Sequence, residues 1–242
     1  ESLTTLKTIF YESPSDGKTA QELELVFEEL WPIIKSLLEK YSKGVDEILK
    51  YIGKIVRKAM AIFQCKFQVS YLEEYLDLSC KILKENPCGD LLYSMESSVS
   101  KFGKTNPEKF TKVYLAVSQI IKEGEGNHPE QFLEDFFGFL FRCARNIPSV
   151  LMASWEVLEN NLALAVKTLD NCNSSIDRVL LFFFENLVPL CSEAPKNENE
   201  KKMTEIFVGK YGEQIIKKFI NKLIDHPEAK TQDYTVDFFL RA

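Results

Sequence analysis

Helical periodicity, repeated along the whole length, is the feature that most constrains how this chain folds. Apolar residues recur at spacings of three and four over stretches of about fifteen to twenty residues, and each stretch ends at a short polar or proline-marked break. The stretches group in pairs whose starts fall near Ala20, Cys65, Asn106, Pro148 and Asn197. A period of roughly forty to fifty residues is typical of helical-hairpin solenoids. Because no segment alternates apolar and polar residues as a half-buried strand does, the sequence predicts an all-α fold.

The same period predicts the domain organisation. We expect one α-solenoid of stacked antiparallel helix pairs over residues 1–242, with about five pairs. The approximate bounds of the pairs are 20–64, 66–104, 106–145, 148–192 and 197–242. The apolar residues at 236–240 resemble a helix cut part-way, so we interpret the chain as a piece of a longer protein. Solenoids present long surfaces to other macromolecules, and the pattern favours that class of function.

Two apolar faces are wide enough to predict burial on two sides. They span Phe132–Phe141 and Val179–Val188, and a helix that is apolar around most of its circumference belongs in a protein interior. The triplet His128-Pro129-Glu130 predicts the start of the first of these helices, because proline is favoured in a first helical turn. Leu23, Phe27, Leu30, Ile34 and Leu37 form a narrower stripe, in which Pro32 predicts a kink or a second helix start.

Charge and hydropathy argue against two classes of partner. The net charge is −6, with both signs mixed along the helices, whereas a dedicated nucleic-acid-binding domain is basic overall. The longest purely apolar run, Val179–Phe184, is far shorter than the roughly 20 residues that a membrane-spanning helix needs. We therefore expect neither nucleic-acid binding nor membrane insertion.

The cysteines indicate no metal or redox site. None forms a C-x-x-C pair, so we expect reduced and mostly buried thiols. The six residues are Cys65, Cys80, Cys88, Cys143, Cys172 and Cys191.

Catalytic motifs are incomplete. Gly103-Lys104-Thr105 resembles the end of a phosphate-binding loop, but Ser98 stands where that motif requires a glycine and no strand precedes it. The histidines, His128 and His226, are far apart and each precedes Pro-Glu, which indicates helix starts. Zinc binding and acid–base catalysis need clustered partners. We therefore predict that the chain is not an enzyme and holds no cofactor and no metal.

One charged cluster is a candidate functional site. The segment 43–66 holds six basic and two acidic residues in a chain whose net charge is −6. Spacings of four, seven and eight bring Lys50, Lys54, Arg57 and Lys58 toward one helix face. Two interpretations stay open: a solvated face paired with nearby carboxylates, or a basic ridge that receives an acidic or phosphorylated partner segment.

As a whole, the chain resembles the C-terminal part of the importin-β superfamily of nuclear transport receptors, and most closely the transportin-SR branch. The resemblance runs from about residue 25 to residue 187 and rests on dispersed apolar and helix-start positions. Its first part is a Leu-Trp-Pro helix start at Leu30-Trp31-Pro32. Its second part is similar to the family's pattern around one repeat and consists of Asn127-His128-Pro129-Glu130, Phe136-Phe137, Phe141, Arg145-Asn146-Ile147-Pro148 and Leu151.

This resemblance implies an α-solenoid of stacked HEAT-type antiparallel helix pairs that carries protein cargo through nuclear pores. It implies nucleoporins as partners, shuttling between cytoplasm and nucleus, and release by the GTPase Ran, which contacts repeats upstream of this chain. The helix Val45–Met60 matches the branch's arginine-rich helix, which takes phosphorylated Arg-Ser cargo. Lys50 and Arg57 fall on arginine positions of that helix, whereas Glu47 and Gly53 replace others, so the expected cargo is an acidic or phosphorylated segment of more general kind.

A second function is compatible with the same fold. A HEAT-type scaffold subunit would assemble a protein complex without any role in transport. The two functions differ upstream, because a transport receptor carries a Ran-binding block of repeats there and a scaffold does not.

Overall fold

The structure is a computed structural model that describes Thr5, Thr8 and residues 17–40, 46–124, 128–170 and 174–225. Helices and short connections make up these residues, and no strand occurs among them. The predicted all-α class is therefore confirmed for the described part of the chain. The chain divides into two compact units, Glu1–Ile120 and Ile121–Ala242.

The first unit is built from six helices of the described chain, the last of which crosses the division between the units. They are α1 (Gly17–Lys40), α2 (Asp46–Ile62), α3 (Gln64–Ser70), α4 (Leu72–Glu85), α5 (Gly89–Phe102) and α6 (Pro107–Glu123). A 3₁₀ turn, Gly103–Thr105, joins α5 to α6. As the sequence predicts, Pro107 takes the first position of α6, where its missing N–H costs no helical hydrogen bond.

The second unit continues with α7 (Glu130–Asn146), the four-residue α8 (Pro148–Leu151), α9 (Trp155–Thr168) and α10 (Ser174–Leu187). After a 3₁₀ turn at Val188–Leu190, a long helical segment consists of α11 (Glu198–Met203), a π-helical stretch (Thr204–Gly212) and α12 (Glu213–Asp225). Asn197 caps this segment, because its side-chain oxygen accepts a hydrogen bond of 2.9 Å from the Glu200 amide.

Aromatic rings form the core where α1 meets the start of α3 and α4. α1 packs against α2 and α4, and α2 packs against α5. The Phe27 ring is fully buried, and its centroid lies 5.2–6.0 Å from the centroids of Trp31, Phe63, Phe67 and Tyr71. Such tilted and edge-on ring pairs stabilise a core beyond the area that they bury.

The predicted stripe on α1 is partly wrong. Trp31 is buried, whereas its neighbour Leu30 is only half-buried. The Trp31 indole N–H donates a hydrogen bond of 2.8 Å to the Glu74 carboxylate on α4, which turns the ring inward. The predicted helix start at Trp31-Pro32 is also wrong, because α1 is one helix from Gly17 to Lys40 with the exposed Pro32 inside it.

The wide apolar faces of the second unit are buried, as predicted. α7 packs along α10, and the side chains of Phe137 and Phe184 have no exposed surface. Phe184 also contacts the long C-terminal segment, with ring centroids 6.0 Å from Phe207 and 6.3 Å from Phe219. These rings join three helical segments in one core.

Candidate partner-binding surface

A close helix–helix contact fixes the position of α2. Gly53 is buried on the side of α2 that meets α5. A Cβ atom at this position would lie 3.1 Å from the Asp90 carbonyl oxygen and 3.7 Å from Ser94 Cβ. Glycine therefore lets the two backbones approach, and the residue that replaces a family arginine serves packing here.

The opposite side of α2 carries the predicted site residues. Leu49, Ile52 and Val56 are fully buried in the unit. Lys50 is exposed, and Lys54, Arg57 and Lys58 are half-buried. Because these charges extend from a helix whose apolar face is fixed in a core, their backbone positions are set by the fold.

Carboxylate partners are missing for three of the four cations. Within the described residues, no ion pair forms at Lys50, Lys54 or Arg57, whereas Lys58 has an interaction inside the protein. Other lysines of the same unit are paired: Lys66, for example, reaches Glu24 at 2.8 Å. The interpretation as a face neutralised by nearby carboxylates therefore does not fit Lys50, Lys54 and Arg57, which we call the basic surface.

Tyr93 on α5 is a member of this site that the sequence reasoning missed. The Arg57 guanidinium carbon lies 4.1 Å from the centroid of the Tyr93 ring, and 45% of Tyr93 is exposed. This distance is within the range of a cation–π contact. The ring holds the guanidinium in one orientation, and only the packing of α2 against α5 brings the two residues together.

The inner end of Arg57 lies in a neutral environment. Its Nη1 atom is buried and has no hydrogen-bond partner. The nearby Tyr75 hydroxyl shares a hydrogen bond with Ser94 Oγ, and burial raises the pKa of Tyr75 to about 12. Tyr75 therefore stays protonated at neutral pH, and its hydroxyl does not neutralise the arginine. The basic surface keeps its positive charge and suits a carboxylate or phosphate ligand.

The remaining sequence motifs have structural roles. Gly103-Lys104-Thr105 is the 3₁₀ turn that follows α5, so it is preceded by a helix and not by a strand. His128 precedes α7, and its Nε2 atom lies 3.3 Å from the Ile121 carbonyl oxygen. His226 lies outside the described residues.

Metal ligands do not converge in the described part of the chain, where no group of three His, Cys, Asp or Glu side chains could hold an ion. The five described cysteines are free thiols. Cys88 and Cys143 are buried, Cys80 and Cys191 are half-buried, and Cys65 is exposed, so the expectation of mostly buried thiols holds only in part. Cys172 lies outside the described residues.

Two surface grooves flank α4 in the first unit. One is lined by residues of α3 and α4 and the other by residues of α4 and α6. Both include Glu73 and Asp77, and neither includes a residue of the basic surface. Among the described helices, none has a stretch long and apolar enough to cross a lipid bilayer.

The comparisons with known proteins leave the family open. No protein-family model matches the chain, and no curated protein is significantly similar to it.

Replacing Gly53 by Arg, the residue type that the resemblance would place there, should destabilise the first unit. Any side chain must displace the backbone of α5, and overpacking of this kind costs about 1–3 kcal/mol. Urea denaturation followed by circular dichroism measures the loss. Gly209→Ala is the control, because a Cβ atom there meets only the Thr204 carbonyl oxygen at 3.8 Å. Equal stabilities of the two variants would contradict the close contact.

Proposed function

We propose that this chain is the cargo-binding, C-terminal part of a nuclear transport receptor, and that its basic surface receives an acidic or phosphorylated segment of a protein cargo. The observation that carries the proposal is the set of cations on α2, Lys50, Lys54 and Arg57, for which the described residues provide no ion pair. Clusters of basic residues on a fixed helix are a recurring means of recognising phosphorylated and acidic segments.

The packing order within each unit supports a solenoid of HEAT-type pairs. In a stacked repeat, each helix contacts the equivalent helix of the next pair. The first unit has this order, since α1 packs against α4 and α2 against α5. The second unit has it as well, since α7 packs against α10 and α9 against the π-helical stretch.

The chemistry of the basic surface fits a segment with several anionic groups. The Arg57 guanidinium, oriented by Tyr93 at 4.1 Å, is suited to planar, two-point contact with a phosphate or carboxylate. Lys50 and Lys54 are flexible point charges that adjust to further anions along the segment. Tyr93 adds an exposed ring that an arginine or apolar side chain of the partner can cover.

Transport is the part of the proposal that rests on the resemblance to importin-β receptors. It brings with it nucleoporin binding, shuttling between cytoplasm and nucleus, and control by Ran through repeats upstream of residue 1. The scaffold function shares the helical architecture and lacks the Ran step.

A Ran titration distinguishes the two functions. The full-length gene product should bind GTP-loaded Ran with sub-micromolar affinity, and residues 1–242 alone should bind weakly or not at all, because the expected Ran contacts lie upstream. Isothermal titration calorimetry with GTP-loaded and GDP-loaded Ran measures both affinities. If the full-length product ignores the nucleotide state of Ran, the scaffold function is favoured. Sub-micromolar binding by residues 1–242 alone would show that the roles are assigned to the wrong repeats.

A further inference from the structure

The last described helix carries an uncovered apolar stripe. Ile216, Ile220 and Ile224 on α12 are 44%, 42% and 69% exposed. Their spacing of four places them along one side of the helix. A single exposed isoleucine needs no explanation, but a continuous row on one helix marks a surface that another element covers.

The exposure is not a consequence of a loosely attached helix. The neighbouring face of α12 is anchored in the second unit, where Ile215 and Phe219 are 2% and 1% exposed. Lys222 forms a two-point ion pair with the buried Asp177, at 2.7 and 2.8 Å. Since α12 is held by both apolar and charged contacts, its isoleucine stripe has a fixed direction.

The chain itself supplies a fitting element directly after this helix. Residues 226–242 follow Asp225 and lie outside the described part. They begin with His226-Pro227-Glu228, the same triplet as His128-Pro129-Glu130, which precedes α7. Their charged residues recur at spacings of three and four and leave a wide apolar face, as in a buried helix. The charged residues are Lys230, Asp233, Asp237 and Arg241, and the apolar ones are Tyr234, Val236, Phe238, Phe239 and Leu240.

We propose that residues 226–242 turn back as a helix and cover the stripe formed by Ile216, Ile220 and Ile224. A helix of this length is about 25 Å long, more than the roughly 12 Å between positions 216 and 224. Tethering favours this occupant over a separate molecule, because a short connection gives an effective concentration in the millimolar range. The stripe is then an internal contact of the second unit and not a surface for cargo.

Thiol labelling of the full chain tests this contact. An Ile220→Cys variant is treated with a maleimide, and the labelling rate at position 220 is read by peptide mass spectrometry. Asn221→Cys is the matched control, because Asn221 is exposed on a different side of α12. We expect labelling at position 220 to be at least about tenfold slower than at position 221. Adding Phe238→Asp and Phe239→Asp should remove the difference.

The outcomes separate the possible occupants. Equal rates at positions 220 and 221 in the chain with its natural C-terminal residues would overturn the proposal. Protection that rises with protein concentration would assign the stripe to a second copy, and protection that survives the two Asp substitutions would assign it to another element. The buried Cys143 reports on folding. If it becomes reactive in the double variant, Phe238→Ala alone is tested by the same criteria.

Discussion

Replacing Phe137 by Ala is expected to lower the free energy of unfolding by about 3–5 kcal/mol. The Phe137 ring has no exposed surface and packs with its centroid 5.3 Å from that of Phe136. It lies on α7, which packs along α10 in the second unit. Removal of the ring eliminates buried apolar surface and leaves a cavity that two packed helices fill only in part.

Urea denaturation, followed by circular dichroism, measures this loss. Phe141→Ala is the control, because Phe141 is on the same helix but only half-buried, with its ring against Phe182 and the Arg142 guanidinium. We expect a clearly smaller loss for the control. Similar losses at both positions, or a loss below about 1 kcal/mol at Phe137, would contradict the location of the core.

The joint change of Lys54 and Arg57 to Glu is expected to weaken the binding of an acidic partner by at least about a hundredfold, equivalent to about 2.7 kcal/mol. Hydrogen bonds to charged groups contribute about 1.5–3 kcal/mol each, and reversed charges add repulsion to the lost attraction. Each single change should therefore cost less than the pair.

The fold should tolerate this double change. Lys54 and Arg57 are on the exposed side of α2, and the contact that the core loses is the stacking of Arg57 on Tyr93. Lys81→Glu with Lys84→Glu is the matched control, because it changes the net charge equally at exposed positions of α4. Helical content should be the same in both variants. If the control weakens binding as much as the double change on α2, overall charge and not the basic surface governs the interaction.

Most helices of this fold can be predicted from apolar spacing, because each buries one face. The side chains that depart from the spacing are those with a distant polar partner, as Trp31 has in Glu74. The predicted single helix from Pro148 to Leu169 is wrong for a local reason. It breaks at residues 152–154, where Ser154 accepts a hydrogen bond of 3.4 Å from the Val157 amide and starts α9.

The candidate site was predictable only in its charges. Spacing along one helix is sufficient to group Lys50, Lys54, Arg57 and Lys58. The contribution of Tyr93, the close approach at Gly53 and the difference between Lys58 and the other cations all depend on how α5 packs against α2. Such contacts join residues far apart in the sequence, and a helical period carries no information about them.

The most direct test of the central claim is a fluorescence anisotropy titration of this chain with a labelled peptide of alternating arginine and phosphoserine. We predict that it binds more tightly than the same peptide without phosphate, and that its affinity falls at least about tenfold between roughly 50 and 300 mM salt, because ionic contacts are screened. Both differences should disappear in the Lys54→Glu/Arg57→Glu variant. Equal binding of the two peptides, with no effect of salt or of the double change, would show that the basic surface is a solvated helix face.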